Sequence, residues 1–302
     1  MSQNETIGFI GLGVMGGPMC RNMALKHPGR VIAFDLSAAA LEGLSDTKVE
    51  PAATVADLAR TSDVIFLSLP GGAQVKEVCS ERGLALQARP GTAVVDLSTT
   101  SVSLAREVAA SLAARGIAMA DAPVARTREA AQKGTLSVMV GAPDGLFRRI
   151  QPFLEYIATD VTHGGDVGSG QVLKLVNNML VLEHVVVLAE MMVLGQRAGV
   201  APEVLLDAVS KGSGDSFVLR NHGRKAMLPR EFPEKAFPLE YALKDIGYVL
   251  ELARDTGTPV GVAQFVERYY EAAIKQGLGG RYFPAVIEVV EAGGLMAPER
   301  ST

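Results

Sequence analysis

The chain has 302 residues, 48% of them apolar, with a formal net charge of −4 and a pI near 5.7. That is enough apolar sequence for one large or two ordinary domains, and it offers no broad cationic surface for nucleic acid or anionic lipid. The two cysteines fit no disulfide framework, and the opening MSQNETIGFIG lacks the basic start and long apolar stretch of a leader, so the expected compartment is a reducing cytoplasm.

In chain order, short apolar runs at 6–10, 31–34, 64–69 and 93–97 read as strands. The segments after them, including 15–25, 38–44 and 101–114, carry helical spacing. Further strand-like runs stand at 117–120 and 136–140. This alternation predicts an α/β fold: a doubly wound parallel sheet in a Rossmann domain over 1–165, with an all-helical domain over 166–302. The apolar stretch Val172 to Val193 contains Lys174, Asn177, Asn178, Glu183, His184 and Glu190, so it reads as a buried helix and not as a membrane span. It is apolar around most of its circumference, which predicts burial between domains or in a homodimer or homotetramer.

The first strand ends in Gly11-Leu12-Gly13-Val14-Met15-Gly16, the G-x-G-x-x-G spacing that lets backbone approach a pyrophosphate at a helix N-terminus. Asp35 follows at the end of the next strand, where a carboxylate accepts ribose hydroxyls and repels a 2′-phosphate. No arginine comes directly after it, so NAD(H) is expected over NADP(H). By the rule that ligands sit outside the carboxyl ends of the strands, Leu69-Pro70 and Ser98-Thr99 face the same crevice. Ser98 and Thr99 either bond a ligand or cap the helix from 101 onward.

Lys174 and Asn178 are four residues apart and share one helical face among apolar neighbours. A lysine in such a setting is suited to giving a proton to a carbonyl oxygen, with the asparagine holding the substrate. The histidines at 27, 163, 184 and 222 show no ligand-like spacing, so no metal is expected.

GFIGLGVMGGPMCRNM, DLSTTS, DAPV with GTLSVMVG, GSGQVLKLVNNM and LKDIGYVL occur in the order found in the β-hydroxyacid dehydrogenases, and the chain resembles that family over nearly its whole length. The resemblance implies an NAD-dependent oxidoreductase acting on CH–OH groups, with a cleft between its two domains. It implies Lys174 as catalytic acid/base and Asn178 as a substrate ligand. It also implies that Phe237, Lys244 and Asp245 close over cofactor and substrate.

Most members read DAPVSGG where this chain has Ala125-Arg126-Thr127 after DAPV. An arginine fork there suits a sulfonate or another bulky terminal anion. Arg126, Thr127 and Asn177 are therefore expected to grip the anion of a small substrate, and the loop resembles that of members reducing 3-sulfolactaldehyde to 2,3-dihydroxypropane-1-sulfonate. A carboxylate substrate of the 3-hydroxyisobutyrate, succinic semialdehyde or glyoxylate kind is the alternative. The bland reading leaves Arg126 in solvent or paired with Glu129, and Arg128 solvated. A dinucleotide sensor without turnover is the rival of another class, and the presence of Lys174 speaks against it.

Overall fold

The computed structural model describes residues 4–80, 83–234 and 236–296. Its first half runs β1 (Ile7–Ile10), α1 (Gly16–Lys26), β2 (Val31–Phe34), α2 (Ala38–Glu42), β3 (Glu50–Pro51), α3 (Val55–Thr61), β4 (Val64–Leu67), α4 (Gly72–Cys79), α5 (Leu84–Gln87), β5 (Ala93–Asp96), α6 (Val102–Ala113) and β6 (Ala118–Asp121). There follow β7 (Val124–Ala125), α7 (Arg128–Lys133), β8 (Leu136–Gly141), α8 (Asp144–Leu154) and β9 (Ala158–Gly165). The nine strands form one sheet in the order β3-β2-β1-β4-β5-β6-β8-β7, with β9 on β8.

Side chains of a strand alternate between faces, and in β1, β4 and β5 both faces are buried. Phe9 of β1 and Phe66 of β4 enter one apolar cluster with Met19, Met23 and Phe153; Ile10, Ile65 and Leu67 enter another with Leu58 and Leu112. Helices thus cover the sheet on both sides, as a doubly wound fold requires.

The order of β1 to β6 and their parallel pairing agree with the sequence pattern. Beyond β6 the sheet departs from it. β7 and β6 pair antiparallel with β8, and β9 pairs parallel with β8. β3 and β7 have two residues each, too few to show a period. β9 is mostly exposed, and its ATDVTHGG has no apolar run.

The chain divides into two compact units, Met1–Lys174 and Leu175–Thr302. From the end of the sheet onward it is helical: α9 (Ser169–Arg197), α10 (Pro202–Val209), a π-helical segment Leu219–Met227, α11 (Leu239–Thr256), α12 (Gly261–Lys275) and α13 (Ile287–Glu291). The second unit has its own apolar core, in which Leu182, Val186, Ile246, Val266 and Tyr270 are buried. Among the described residues α9 is long and apolar enough to cross a membrane by length and composition.

Candidate functional site

Three glycines shape the turn after β1. Gly11 has φ +95°, and a Cβ on it would lie 2.2 Å from the Ser68 carbonyl oxygen; a Cβ on Gly16 would lie 2.0 Å from that of Gly11. Neither position admits a side chain, so α1 starts tightly against the strand ends. Gly13 is the opposite case, with nothing within 4 Å of its ideal Cβ, an open side at which a phosphate has room. The N-terminus of α1 has no side-chain cap; the Gly17 N–H donates to the Gly13 carbonyl at 3.0 Å and Pro18 has no N–H, so of the first three helical residues Gly16 keeps its amide for an anion. Val14 is half exposed, while Met15 packs on the core.

Asp35 ties this turn to β2. Its Oδ2 accepts the Leu12 N–H at 2.6 Å and its Oδ1 accepts the Ser37 N–H at 2.8 Å. Each oxygen keeps a lone pair for a ribose hydroxyl. A cavity of about 480 Å³ adjoins the turn, lined among others by Gly13, Val14, Arg21, Ala40 and Arg128. Arg21 in that cavity is already paired with Asp46.

The loops after β4 and β5 are laced together. Ser98 is 5% exposed; its Oγ accepts the Leu69 N–H at 2.9 Å, and its own N–H donates to Asp96 Oδ1 at 2.9 Å. Pro70 and Thr99 stand at the partly exposed rim. The expected capping role for Ser98 or Thr99 does not hold, because Ser101 caps α6 by accepting the Leu104 N–H at 3.3 Å. Ser101 directly precedes the helical period, which is the signal that identifies a cap.

Two residues that the sequence reading passed over anchor the start of α9. Asp121, fully buried at the end of β6, accepts the Gly168 N–H on Oδ1 at 2.6 Å and the Gln171 N–H on Oδ2 at 2.7 Å. Burial pushes its carboxyl above the usual range, against the pull of those two N–H groups. Gln171 is also fully buried, donating from Nε2 to the Ser98 carbonyl at 2.9 Å and accepting the Thr100 N–H on Oε1 at 3.1 Å. The sequence signal for Asp121 was a lone acid closing an apolar strand; Gln171 gave none.

Lys174 follows on α9, partly buried. One turn further along the helix, both ends of the Asn178 carboxamide are held. Its Nδ2 donates to Asp245 Oδ2 at 2.7 Å, and its Oδ1 accepts from Asn177 Nδ2 at 3.1 Å. Asp245, expected to bind substrate, is 1% exposed and uses its Oδ2 to orient Asn178. Lys244 Nζ stands 3.2 Å from Asp245 Oδ1 and over the rings of Tyr241 and Tyr248. Phe237 packs edge-on to Tyr241 and Phe283.

Arg126 departs from the expectation most. Its φ of 87° is a glycine-like conformation, and its guanidinium is engaged. Nη1 donates to the Thr135 carbonyl at 2.7 Å and to Thr159 Oγ1 at 2.9 Å, while Nη2 donates to Asp160 Oδ2 at 2.7 Å. The Thr159 hydroxyl and this guanidinium hold the Asp160 carboxyl below its usual range. Arg126 therefore neither reaches for an anion nor pairs with Glu129, which bonds Lys133 instead. The cause is β9, unforeseen from the sequence, which brings Thr159 and Asp160 beside the loop. Thr127 caps α7 by accepting the Ala130 N–H.

Residues 6–165 match the family described as the NAD binding domain of 6-phosphogluconate dehydrogenase, and 168–290 match the NAD-binding domain of NADP-dependent 3-hydroxyisobutyrate dehydrogenase. The chain belongs to the β-hydroxyacid dehydrogenase family. This dehydrogenase is 36% identical over 292 residues to 2-(hydroxymethyl)glutarate dehydrogenase of Eubacterium barkeri, covering 96% of each chain. It is 31% identical to the NAD-dependent L-serine dehydrogenase of Pseudomonas aeruginosa over 93% of this chain and 96% of that one. Among solved structures, 3-hydroxyisobutyrate dehydrogenase of Mycobacterium tuberculosis with L-serine superposes with a TM-score of 0.86 at 29% identity, over 96% of this chain and all of that one. The chain is a nicotinamide-dependent oxidoreductase acting on CH–OH groups.

Proposed function

We propose that the enzyme interconverts a small β-hydroxy acid and its carbonyl partner with NAD(H) as the preferred cofactor, the substrate's anion being a carboxylate. The observation that carries the reading is on α9, which is pinned at its first turn by Asp121 and bears Lys174 and then the oriented Asn178 one turn later.

The open side of Gly13 and the uncapped start of α1 fit a pyrophosphate, and Asp35 with both oxygens turned to backbone amides fits the adenosine ribose. Leu12, Val14, Leu69, Pro70 and Thr99, at the ends of β1, β4 and β5, line the rest of the dinucleotide's place. When bound, the nicotinamide supplies a two-electron acceptor or donor for hydride at the carbon bearing the oxygen. Lys174 as the neutral amine takes the hydroxyl proton during oxidation; as the ammonium it returns that proton to the carbonyl oxygen during reduction. Asn178 has one N–H left after bonding Asp245 and donates it to the substrate, fixing its orientation before the proton moves. Ser98 keeps its own O–H to donate, since its oxygen serves Leu69 as acceptor.

The relatives' names support a carboxylate: hydroxymethylglutarate, hydroxyisobutyrate and serine all carry one. The sulfonate reading keeps one observation in its favour, an arginine held at φ 87° in the loop where a glycine would be unstrained. Its ion pair with Asp160 is exposed and screened by solvent, so a strong anion could displace it.

The test is formation of the reduced cofactor, NADH from NAD and NADPH from NADP, with serine, 3-hydroxyisobutyrate, 2-(hydroxymethyl)glutarate and 2,3-dihydroxypropane-1-sulfonate. A carboxylate preferred with NAD supports the reading. The sulfonate preferred at least tenfold, with that preference lost in Arg126→Ala, replaces it. No turnover on any of them, with NADH still bound, returns the dinucleotide sensor.

The second unit also supports a homo-oligomer. Val176, Leu180, Val187, Met191 and Leu194 are exposed at three-, four- and seven-residue steps along α9. A second copy covering that stripe gives a particle of at least twice the chain mass by light scattering.

A further inference from the structure

The start of α9 is attached to the sheet by more than packing. Asp121 holds two of its first amides, and the side chain of Gln171 spans to the loop after β5, where it meets one acceptor and one donor. That loop is joined in turn to the end of β4 through Ser98 and Leu69. There is no slack in the contact. A Cβ on Gly170 would lie 2.4 Å from the Met139 carbonyl oxygen, and one on Gly141 would lie 2.4 Å from Asp121 Oδ1 and 2.8 Å from the Gly170 nitrogen.

We infer that Gln171 is a positioning residue for Lys174, setting the rotation and height of the lysine-bearing turn relative to Ser98. The proposal rests on the role proposed above for Lys174.

The contact is directional. Gln171 presents an acceptor to the Thr100 N–H and a donor to the Ser98 carbonyl, so its amide fits in one orientation only. Lys174 is three residues later, which on a helix is about 4.5 Å of rise and most of one turn. Sliding α9 by one residue would break both side-chain bonds and both Asp121 bonds, leaving buried polar groups unsatisfied. Rotating it in place would also swing Lys174 around the helix axis. An apolar side chain of the same length would fill the volume but permit such motion. Misplacement of about 1 Å at a reacting group lowers the rate by about a hundredfold. Gln171 reaches no reacting atom itself, because its two amide ends are occupied by the backbone of the loop.

The experiment compares Gln171→Met, which keeps the length and removes both bonds, with Gln171→Glu, which keeps the acceptor for Thr100 and sets a carboxylate oxygen against the Ser98 carbonyl. Lys174→Ala is measured beside them. Each is assayed with the substrate that the wild type turns over best, for kcat, KM, the pH profile of kcat and NADH affinity by fluorescence titration. The expected result for Gln171→Met is kcat lower by about tenfold to a hundredfold with NADH affinity within about threefold and a displaced limb in the pH profile. If Gln171→Met fails to fold, Gln171→Glu is judged by the same criteria. Wild-type kcat and pH profile in a folded variant, with Lys174→Ala inactive, overturn the positioning role and leave the lysine reading standing. A fall in kcat matched by an equal loss of NADH affinity, with the pH profile unmoved, also overturns it, since that is general loosening. Full activity in Lys174→Ala overturns the reading beneath it.

Discussion

Replacing Asp35 with alanine tests the cofactor half of the account through two separate effects. Its carboxylate accepts amide protons from Leu12 at 2.6 Å and Ser37 at 2.8 Å, so the mutation first releases the Gly-rich turn from β2. Hydrogen bonds to charged groups contribute about 1.5–3 kcal/mol each when buried, and the lower end applies at this half-exposed site. Loss of the ribose contact at about 2 kcal/mol weakens NADH binding about thirtyfold. The second effect acts on NADPH. A carboxylate about 4 Å from a 2′-phosphate opposes it by about 4 kcal/mol per unit charge at an effective dielectric of 20, and alanine removes that repulsion. NADPH binding therefore strengthens or holds while NADH binding falls, and the preference for NADH drops to within about tenfold. Titration of NADH and NADPH fluorescence reads both constants cleanly, because the chain has no tryptophan to transfer energy to either. An unchanged preference in the variant would show that Asp35 only braces the turn, and the ribose assignment would be wrong.

Arg126→Gly relieves a backbone strain of about 1 kcal/mol while removing an exposed ion pair with Asp160 and exposed hydrogen bonds to Thr135 and Thr159, so unfolding free energy in urea stays within about 1 kcal/mol of wild type. On a carboxylate substrate its kcat/KM stays within about threefold; a fall of tenfold or more would make Arg126 an anion ligand after all. His222 lies buried among Phe217, Tyr282 and Phe283 with Nδ1 on the Tyr282 hydroxyl, and burial pulls its pKa from 6.5 down to about 4. A depressed folded-state value means that its contribution is complete above pH 6.5 and is lost as pH falls towards 4, by about 3 kcal/mol in all. Buried His27 acts in the same direction. Urea unfolding followed between pH 4 and 7 shows this slope in the wild type and a shallower one in His222→Gln; equal slopes in both would remove His222 as the cause.

What could be read in advance was what is local in the chain. The turn Gly11 to Gly16, its carboxylate at Asp35 and the spacing of Lys174 and Asn178 follow from strand ends and helix pitch, and the structure has them where those rules put them. What could not be read depends on segments meeting across the sheet. Asp121 and Gln171 are fifty residues apart, and Arg126 and Asp160 are thirty-four apart. A polar strand such as β9 carries no period to reveal it, so nothing marked Asp160 as the partner that would occupy Arg126. Asp245 shows the same limit: its position on α11 matched a site residue, but only burial shows that its carboxylate faces Asn178.

If Lys174 carries the proton, the kcat of Lys174→Ala on the preferred β-hydroxy acid with NAD saturating falls about a hundredfold to ten-thousandfold, with NADH affinity unchanged and the lysine-dependent limb of the pH profile absent. A kcat within tenfold of wild type, with that limb intact, would contradict it.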